Sequence, residues 1–267
     1  MDIRNKTILL TGATGGMGSA IAQKLASEGA RLLLAGRRQE RLEVLLHALP
    51  GQLHRTIVVD LESQEERSQL INVCKKEAID ILINNAGICQ FSLLESTSEQ
   101  SLKAILATNV EAPAHLCQAL LPVLKNKPEA AIVNIGSVFG AIGYPGYSMY
   151  CASKFALRGF TEALRRELSD TAIRVHLLSP RATETDINSQ AVNALNQTLG
   201  ISVDSPDFVA NELLSLLLSQ RSQQKTLGWP EKLFSRINGA LPGLVDGSLK
   251  KQLPIIRKYA LLNQQKS

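Results

Sequence analysis

A chain of 267 residues, 45% apolar and 20% charged, has the composition of a soluble globular protein and the length to bury a substantial core in one α/β domain. Its four cysteines (Cys74, Cys89, Cys117 and Cys151) form no CxxC pair and do not cluster with the four histidines, so a disulfide scaffold and a metal site are not expected and the thiols read as reduced, in a cytoplasmic protein. No apolar run approaches the ~18 residues of a membrane span, and the charged N-terminus MDIRNKTILL runs straight into a strand rather than a secretory signal. The net charge of +5 is uneven: from Arg221 onward nine Lys or Arg face only Glu231 and Asp246. Such a region is either a solvated basic surface or a contact for an anionic partner. Nucleic acid is not expected, because no aromatic stacking platform is interleaved with the charges.

Strand-length apolar runs recur at Thr7–Thr11, Arg31–Ala35, Leu53–Val59, Ile79–Ile83, Ala130–Ile135 and Ile173–Leu178. Amphipathic stretches of helical length lie between them, at Met17–Glu28, Gln39–Leu49, Gln64–Lys76, Leu102–Leu124 and Met149–Ser169. Strands apolar on both faces and alternating with helices predict a doubly wound, Rossmann-type parallel sheet with helices on both sides. Ser205-Pro206-Asp207 predicts a helix start, with a capping serine, proline at the first position and an acid in the first turn. Beyond Gly228 three prolines and repeated glycines break the pattern. The expectation is a domain over residues 1–228 and a helical extension of short amphipathic pieces over residues 229–267, packed on the same domain.

After the first strand comes TGATGGMG, residues 11–18. Glycines between a strand and a helix let the backbone turn tightly and approach a pyrophosphate, whose charge the helix N-terminus holds. A cofactor lacking a 2′-phosphate calls for an acid at the end of the second strand, about twenty residues on. That strand ends Ala35-Gly36-Arg37-Arg38. Guanidinium groups suit bidentate phosphate recognition, so these residues point to NADP(H).

Tyr150 and Lys154 are four apart on a predicted helix and therefore share a face. A tyrosine with a pKa near ~10 is a poor acid–base group at neutral pH; a neighbouring cation, and the positive charge of an oxidised nicotinamide, are expected to lower it. Ser137 follows a strand at the carboxyl end, where its hydroxyl can donate to a developing alkoxide. Each of these signals alone is weak.

In series they resemble the short-chain dehydrogenases/reductases, over residues 6 to about 220. TGATGGMG matches the family's TGxxxGxG, Asn84-Asn85-Ala86-Gly87 its NNAG motif, and Asp60 the acid that contacts the adenine. The resemblance implies a catalytic set of Asn109, Ser137, Tyr150 and Lys154, with Asn109 supporting a proton relay. It implies cofactor contacts from Thr11, Gly12, Thr14, Gly16, Met17, Gly18, Arg37, Arg38, Asp60, Leu61, Asn85, Ala86, Gly87, Tyr150, Lys154, Pro180, Thr183 and Thr185. One departure stands out. The family follows its sixth strand with Pro-Gly, whereas Pro180 here precedes Arg181, which is either a surface residue or within reach of an anionic substrate group.

The activity implied is hydride transfer between NADP(H) and a carbonyl/secondary-alcohol pair, and the apolar and basic character of the C-terminal extension points to a lipophilic substrate, such as an acyl, steroid or long-chain compound. The alternatives are a 3-oxoacyl-[acyl-carrier-protein] reductase and, from another class, a non-catalytic NADP(H)-sensing protein. A homodimer or homotetramer is implied, and the basic C-terminal region would suit an acyl carrier or the periphery of a membrane.

Overall fold

The computed structural model describes residues 1–185 and 187–264. Its strands are β1 (Thr7–Thr11), β2 (Arg31–Gly36), β3 (Arg55–Val58), β4 (Ile81–Asn84), β5 (Ala130–Ile135), β6 (Ile173–Ser179) and β7 (Gln224–Thr226). They form one sheet in the order β3-β2-β1-β4-β5-β6-β7, every neighbouring pair parallel. The helices are α1 (Gly16–Ser27), α2 (Gln39–Ala48), α3 (Gln64–Lys76), α4 (Glu99–Leu106), α5 (Ala112–Lys125), α6 (Ser148–Glu167), α7 (Gln190–Thr198), α8 (Pro206–Leu218), α9 (Glu231–Ala240) and α10 (Pro242–Gln264). This is the Rossmann-type arrangement read from the sequence.

Strand residues alternate between faces, and both faces are covered. Ile8, Leu10, Leu32 and Leu34 pack with Ile21 and Leu25 of α1 and with Leu213 and Leu217 of α8. Leu9, Leu33 and Leu82 pack on the other side with Leu70 of α3, Leu116 and Leu120 of α5 and Leu164 of α6. The strand order reverses between β1 and β4, which opens a crevice at their carboxyl ends. Every loop argued above to carry chemistry leaves the sheet along that one edge.

Four elements differ from expectation for definable reasons. The helix expected over Leu102–Leu124 is α4 and α5 joined by a π-helical turn, Ala107–Glu111. Pro113 has no N–H to give the carbonyl of Asn109, so the α-helical ladder cannot run through that point. The third strand is shorter than Leu53–Val59 and lies at the sheet edge, where Val58 is half exposed. β7, the sequence Gln-Lys-Thr, carries no apolar run that could announce it. Finally, α10 does not break into short pieces but runs through Pro254. Both Pro254 and Lys250, whose carbonyl loses its partner there, are exposed, so water can take the place of the missing amide. The start predicted at Ser205 is found: its Oγ accepts from the Phe208 amide at 3.2 Å and caps α8.

Candidate active site

β1 delivers the chain into the glycine turn. Gly12 sits at φ +63°, and a Cβ there would lie 2.7 Å from the Ala86 Cα; one on Gly18 would lie 2.1 Å from the Gly12 carbonyl oxygen. The turn can close only with glycine at these positions. No side chain caps α1 at Gly15, so its positive end faces the cleft that the turn lines. Thr11 fixes the loop after β4 to this turn. Its hydroxyl accepts from the Asn85 and Ala86 amides, both at 3.1 Å. In return Asn85 Nδ2 donates to the Thr11 and Gly12 carbonyls, both at 3.0 Å.

The resulting cleft has a volume of about 380 Å³. It runs from Arg37, Arg38 and Arg41, past the glycine turn and Asn85–Gly87, to Ile88, Cys89, Thr185 and Ile187. Of the sequence-derived contacts, Gly12, Thr14, Gly16, Met17, Gly18, Arg37, Arg38, Asp60, Leu61, Asn85, Ala86, Gly87 and Thr185 line it. Thr11 is buried beneath it. Tyr150, Lys154, Pro180 and Thr183 do not line it. Thr183 is buried with its hydroxyl donating to the Arg181 carbonyl at 3.1 Å, so the local turn consumes it and Thr185 alone of the two threonines faces the cleft. The sequence reading missed Arg41. Its position three residues after Arg38, in the first turn of α2, is the spacing that places two side chains on one face.

The four catalytic candidates meet beside the Cys89 end. α6, which carries Tyr150 and Lys154, is tied to the sheet by a chain of buried amides. Asn84 Nδ2 donates to Asn134 Oδ1 at 2.8 Å, and Asn134 Nδ2 to Thr161 Oγ1 at 2.8 Å. Ser137, two residues past β5, caps the short turn Val138–Gly140, its Oγ accepting from the Phe139 amide at 3.1 Å. Its hydroxyl neighbours the Tyr150 phenol and favours its ionised form. Lys154 is buried, with Nζ donating to the Ile135 carbonyl at 2.9 Å and lying 5.7 Å from the centroid of the Tyr150 ring. Asn109, in the π turn, is fully buried. Its Oδ1 accepts from the Ile88 amide at 2.9 Å, and its Nδ2 donates to the Ile88 carbonyl at 2.9 Å and to Ser153 Oγ at 3.0 Å. Ser153 Oγ donates in turn to the Tyr150 carbonyl at 2.7 Å. A Cβ on Gly87 would lie 3.4 Å from Asn109 Oδ1 and 3.5 Å from Lys154 Nζ, which joins this cluster to the cleft.

The electrostatics depart from expectation. Burial raises the Tyr150 phenol above its ordinary value, the Cys89 thiol adds to the rise, and the neighbouring Ser137 hydroxyl opposes it. Lys154 does not pull it down, because burial makes Lys154 give up its own proton before the phenol ionises. Lys154 is itself lowered to about 8 by burial. Between pH 8 and its ordinary 10.5, the unfolded chain holds this proton and the folded chain has lost it, so Lys154 makes stability rise with pH. Against Lys154→Met, wild type should gain roughly 2–3 kcal/mol of unfolding free energy across that window, read from urea midpoints at each pH. The buried thiols of Cys74 and Cys117, pushed up to about 12, act oppositely but cancel in the difference, whereas Cys89, which feels the Lys154 charge, is replaced by Ser in both proteins compared. A difference that stays flat with pH contradicts the buried ammonium.

Around Tyr150 lies an apolar cluster. Phe139 meets its ring edge-on at 6.4 Å, and Phe91 stacks on Tyr147 at 5.0 Å. Val192 and Leu195 of α7 and Ile256 and Ala260 of α10 complete it. α10 is held there by Asn263 Nδ2, which donates to the Phe91 carbonyl at 2.9 Å, and by a 2.8 Å contact between Tyr259 Oη and Thr198 Oγ1. Arg181 turns neither to open solvent nor to the cleft. It binds Asp204 Oδ1 through Nε (2.9 Å) and Nη2 (2.7 Å), and reaches Glu231 and the Trp229 carbonyl through Nη1, both at 3.3 Å. The residue in the family's glycine position therefore fastens the start of α9 to the loop after β6. Among the described residues no group of three or more His, Cys, Asp or Glu could hold a metal ion.

Comparison with known proteins agrees with this geometry. The family model for short chain dehydrogenase matches residues 6–196. The 3-oxoacyl-[acyl-carrier-protein] reductase FabG of Haemophilus influenzae is 34% identical over 187 residues, which cover 69% of this chain and 77% of that protein. The solved short-chain dehydrogenase from Sphingobium yanoikuyae in complex with NADPH superposes with a TM-score of 0.79 at 28% identity, covering 90% of this chain and 95% of that one. A Burkholderia phymatum short chain dehydrogenase/reductase in complex with NAD superposes with a TM-score of 0.82 at 22% identity over 91% and 96% of the two chains, a likeness of fold alone.

Proposed function

The chain belongs to the short-chain dehydrogenase/reductase family of oxidoreductases, and from that premise we propose that it reduces a carbonyl, or oxidises the matching secondary alcohol, of a lipophilic substrate with NADP(H). One observation carries the reading. The cleft that begins at Arg37, Arg38 and Arg41 ends at Gly87 and Cys89, beside Ser137, Tyr150, Lys154 and Asn109. Solved relatives of this fold hold NADPH in one case and NAD in another, so the fold does not choose between them and the residues after β2 must. Three guanidinium groups line the cleft there, and no carboxylate ends the strand. This set fits a 2′-phosphate.

When bound, the nicotinamide supplies or accepts the hydride. The chain's own residues do the rest. Ser137 Oγ donates to the carbonyl oxygen and polarises it. The Tyr150 phenol, kept protonated at neutral pH by burial, gives its proton to the nascent alkoxide. Lys154 would hold the nicotinamide ribose and, with Asn109 nearby, would return a proton to Tyr150. The aromatic and aliphatic cluster around Tyr150 favours an apolar substrate tail over a small polar one. A carrier-bound 3-oxoacyl group is the second reading, favoured by the FabG relative and by the basic C-terminal region.

The test is NADPH oxidation with ketones of increasing chain length, free and carrier-bound. kcat/KM should rise with chain length by about 3–4-fold per buried methylene. A preference for short polar carbonyls contradicts the lipophilic assignment, and a large gain on the carrier-bound form selects the second reading.

A further inference from the structure

The C-terminal segment takes no part in the chemistry above, and α9 is mounted in an unusual way. It is fastened to the body by polar side chains: Glu231 to Arg181 at 3.3 Å, and Asn238 Nδ2 to the Ala141 carbonyl at 2.8 Å. These two residues are seven apart and share a face of the helix; Leu233 lies opposite. None of the residues of α9 is buried. Leu233 is 40% exposed and Phe234 41%, and they are joined by Trp229 at 69%, Leu241 at 59% and Leu244 at 65%. A surface helix ordinarily buries its apolar residues; here Leu233 and Phe234 stay exposed while Ile237 is half-buried. Lys232, Arg236, Lys250 and Lys251 lie in the same two helices, exposed and without an ion-pair partner among the described residues.

We propose that this face docks the protein on an anionic lipid bilayer. Trp229, Leu233, Phe234, Leu241 and Leu244 enter the boundary between headgroups and acyl chains, and the four basic residues meet lipid phosphates. The charge argues for a bilayer over a second copy of the chain, which would bring the same unneutralised cations together. No helix among the described residues is long and apolar enough to cross a membrane, so the contact is peripheral. The carbonyl that holds Asn238 belongs to Ala141, four residues beyond Ser137. Docking therefore sets the rim of the catalytic cluster against the phase in which a lipophilic substrate dissolves. That last consequence rests on the proposed function, whereas the docking does not.

Trp229 is the sole tryptophan, so its emission reports the event directly. The full-length protein is titrated with vesicles of phosphatidylcholine alone and of phosphatidylcholine mixed with phosphatidylglycerol, and binding is checked by flotation. A blue shift and flotation are expected with the anionic vesicles at low salt, and both should vanish near 1 M salt, where the screening length is about 3 Å. Lys232→Gln with Arg236→Gln should weaken partitioning about 30-fold, and Leu233→Ser with Phe234→Ser should abolish it. NADPH binding by both variants shows that they are folded. No shift with anionic vesicles, or equal binding to neutral ones, overturns the proposal. So does a Leu233→Ser/Phe234→Ser variant that changes the sedimentation of the protein alone, which would give the face to a second copy, or saturation of the patch by an acidic carrier protein in place of vesicles. None of these readouts involves turnover, so failure here leaves the proposed chemistry standing.

Discussion

Tyr150→Phe should lower kcat for ketone reduction by about 10²–10⁴-fold, the range a positioned general acid supplies. The substitution removes one oxygen. It leaves the ring that packs edge-on against Phe139, so the fold and the affinity for NADPH should be unchanged. The loss should fall on kcat rather than on cofactor KM, because the proton moves only as the alkoxide forms. Lys154→Ala should be at least as damaging and should also weaken NADPH binding, since the proposed ribose contact goes with the ammonium. A Tyr150→Phe enzyme within threefold of wild type removes Tyr150 from the mechanism.

The second large effect concerns cofactor choice. Gly36→Asp combined with Arg37→Ile should move preference from NADPH towards NADH by roughly 10–100-fold, taking about 1.5–3 kcal/mol for a lost charge-assisted contact to the 2′-phosphate. The structure leaves room for the change. A Cβ on Gly36 would meet Leu42 Cδ2 at 3.4 Å and Thr14 Oγ1 at 3.5 Å, both ordinary contacts. Ratios of kcat/KM for the two cofactors, measured in wild type and variant, give the answer. A wild type that uses NADH as well as NADPH contradicts the role given to the arginines.

How far the sequence foretold this can be judged residue by residue. The glycine turn was legible because two of its positions admit nothing larger, so steric necessity is written directly into TGATGGMG. The Tyr150–Lys154 pair was legible because helical spacing fixes which side chains are neighbours. What Lys154 does with its charge was not, since the Ile135 carbonyl that engages it lies 19 residues away and burial is a property of the whole packed site. Arg181 shows the same limit. Its partners Asp204 and Glu231 are 23 and 50 residues distant, and no local pattern pairs them. The π turn at Asn109 was not read: the helix was expected to run unbroken over Leu102–Leu124, straight through Pro113, and the clamp on Ile88 depends on where β4 ends. The exposure of Leu233 and Phe234 on α9 also depended on tertiary anchors, Arg181 and Ala141, that periodicity cannot supply.

The most direct test of the central claim is label transfer. Wild-type enzyme is given NADPH deuterated at the transferring carbon of the nicotinamide and a long-chain ketone, and the alcohol product is analysed by mass spectrometry. The account predicts one deuterium on the carbinol carbon per NADPH oxidised, with Tyr150→Phe slowing product and label together. NADPH that binds in the cleft while no ketone or alcohol tested exchanges label with it would contradict an oxidoreductase acting through Ser137, Tyr150 and Lys154.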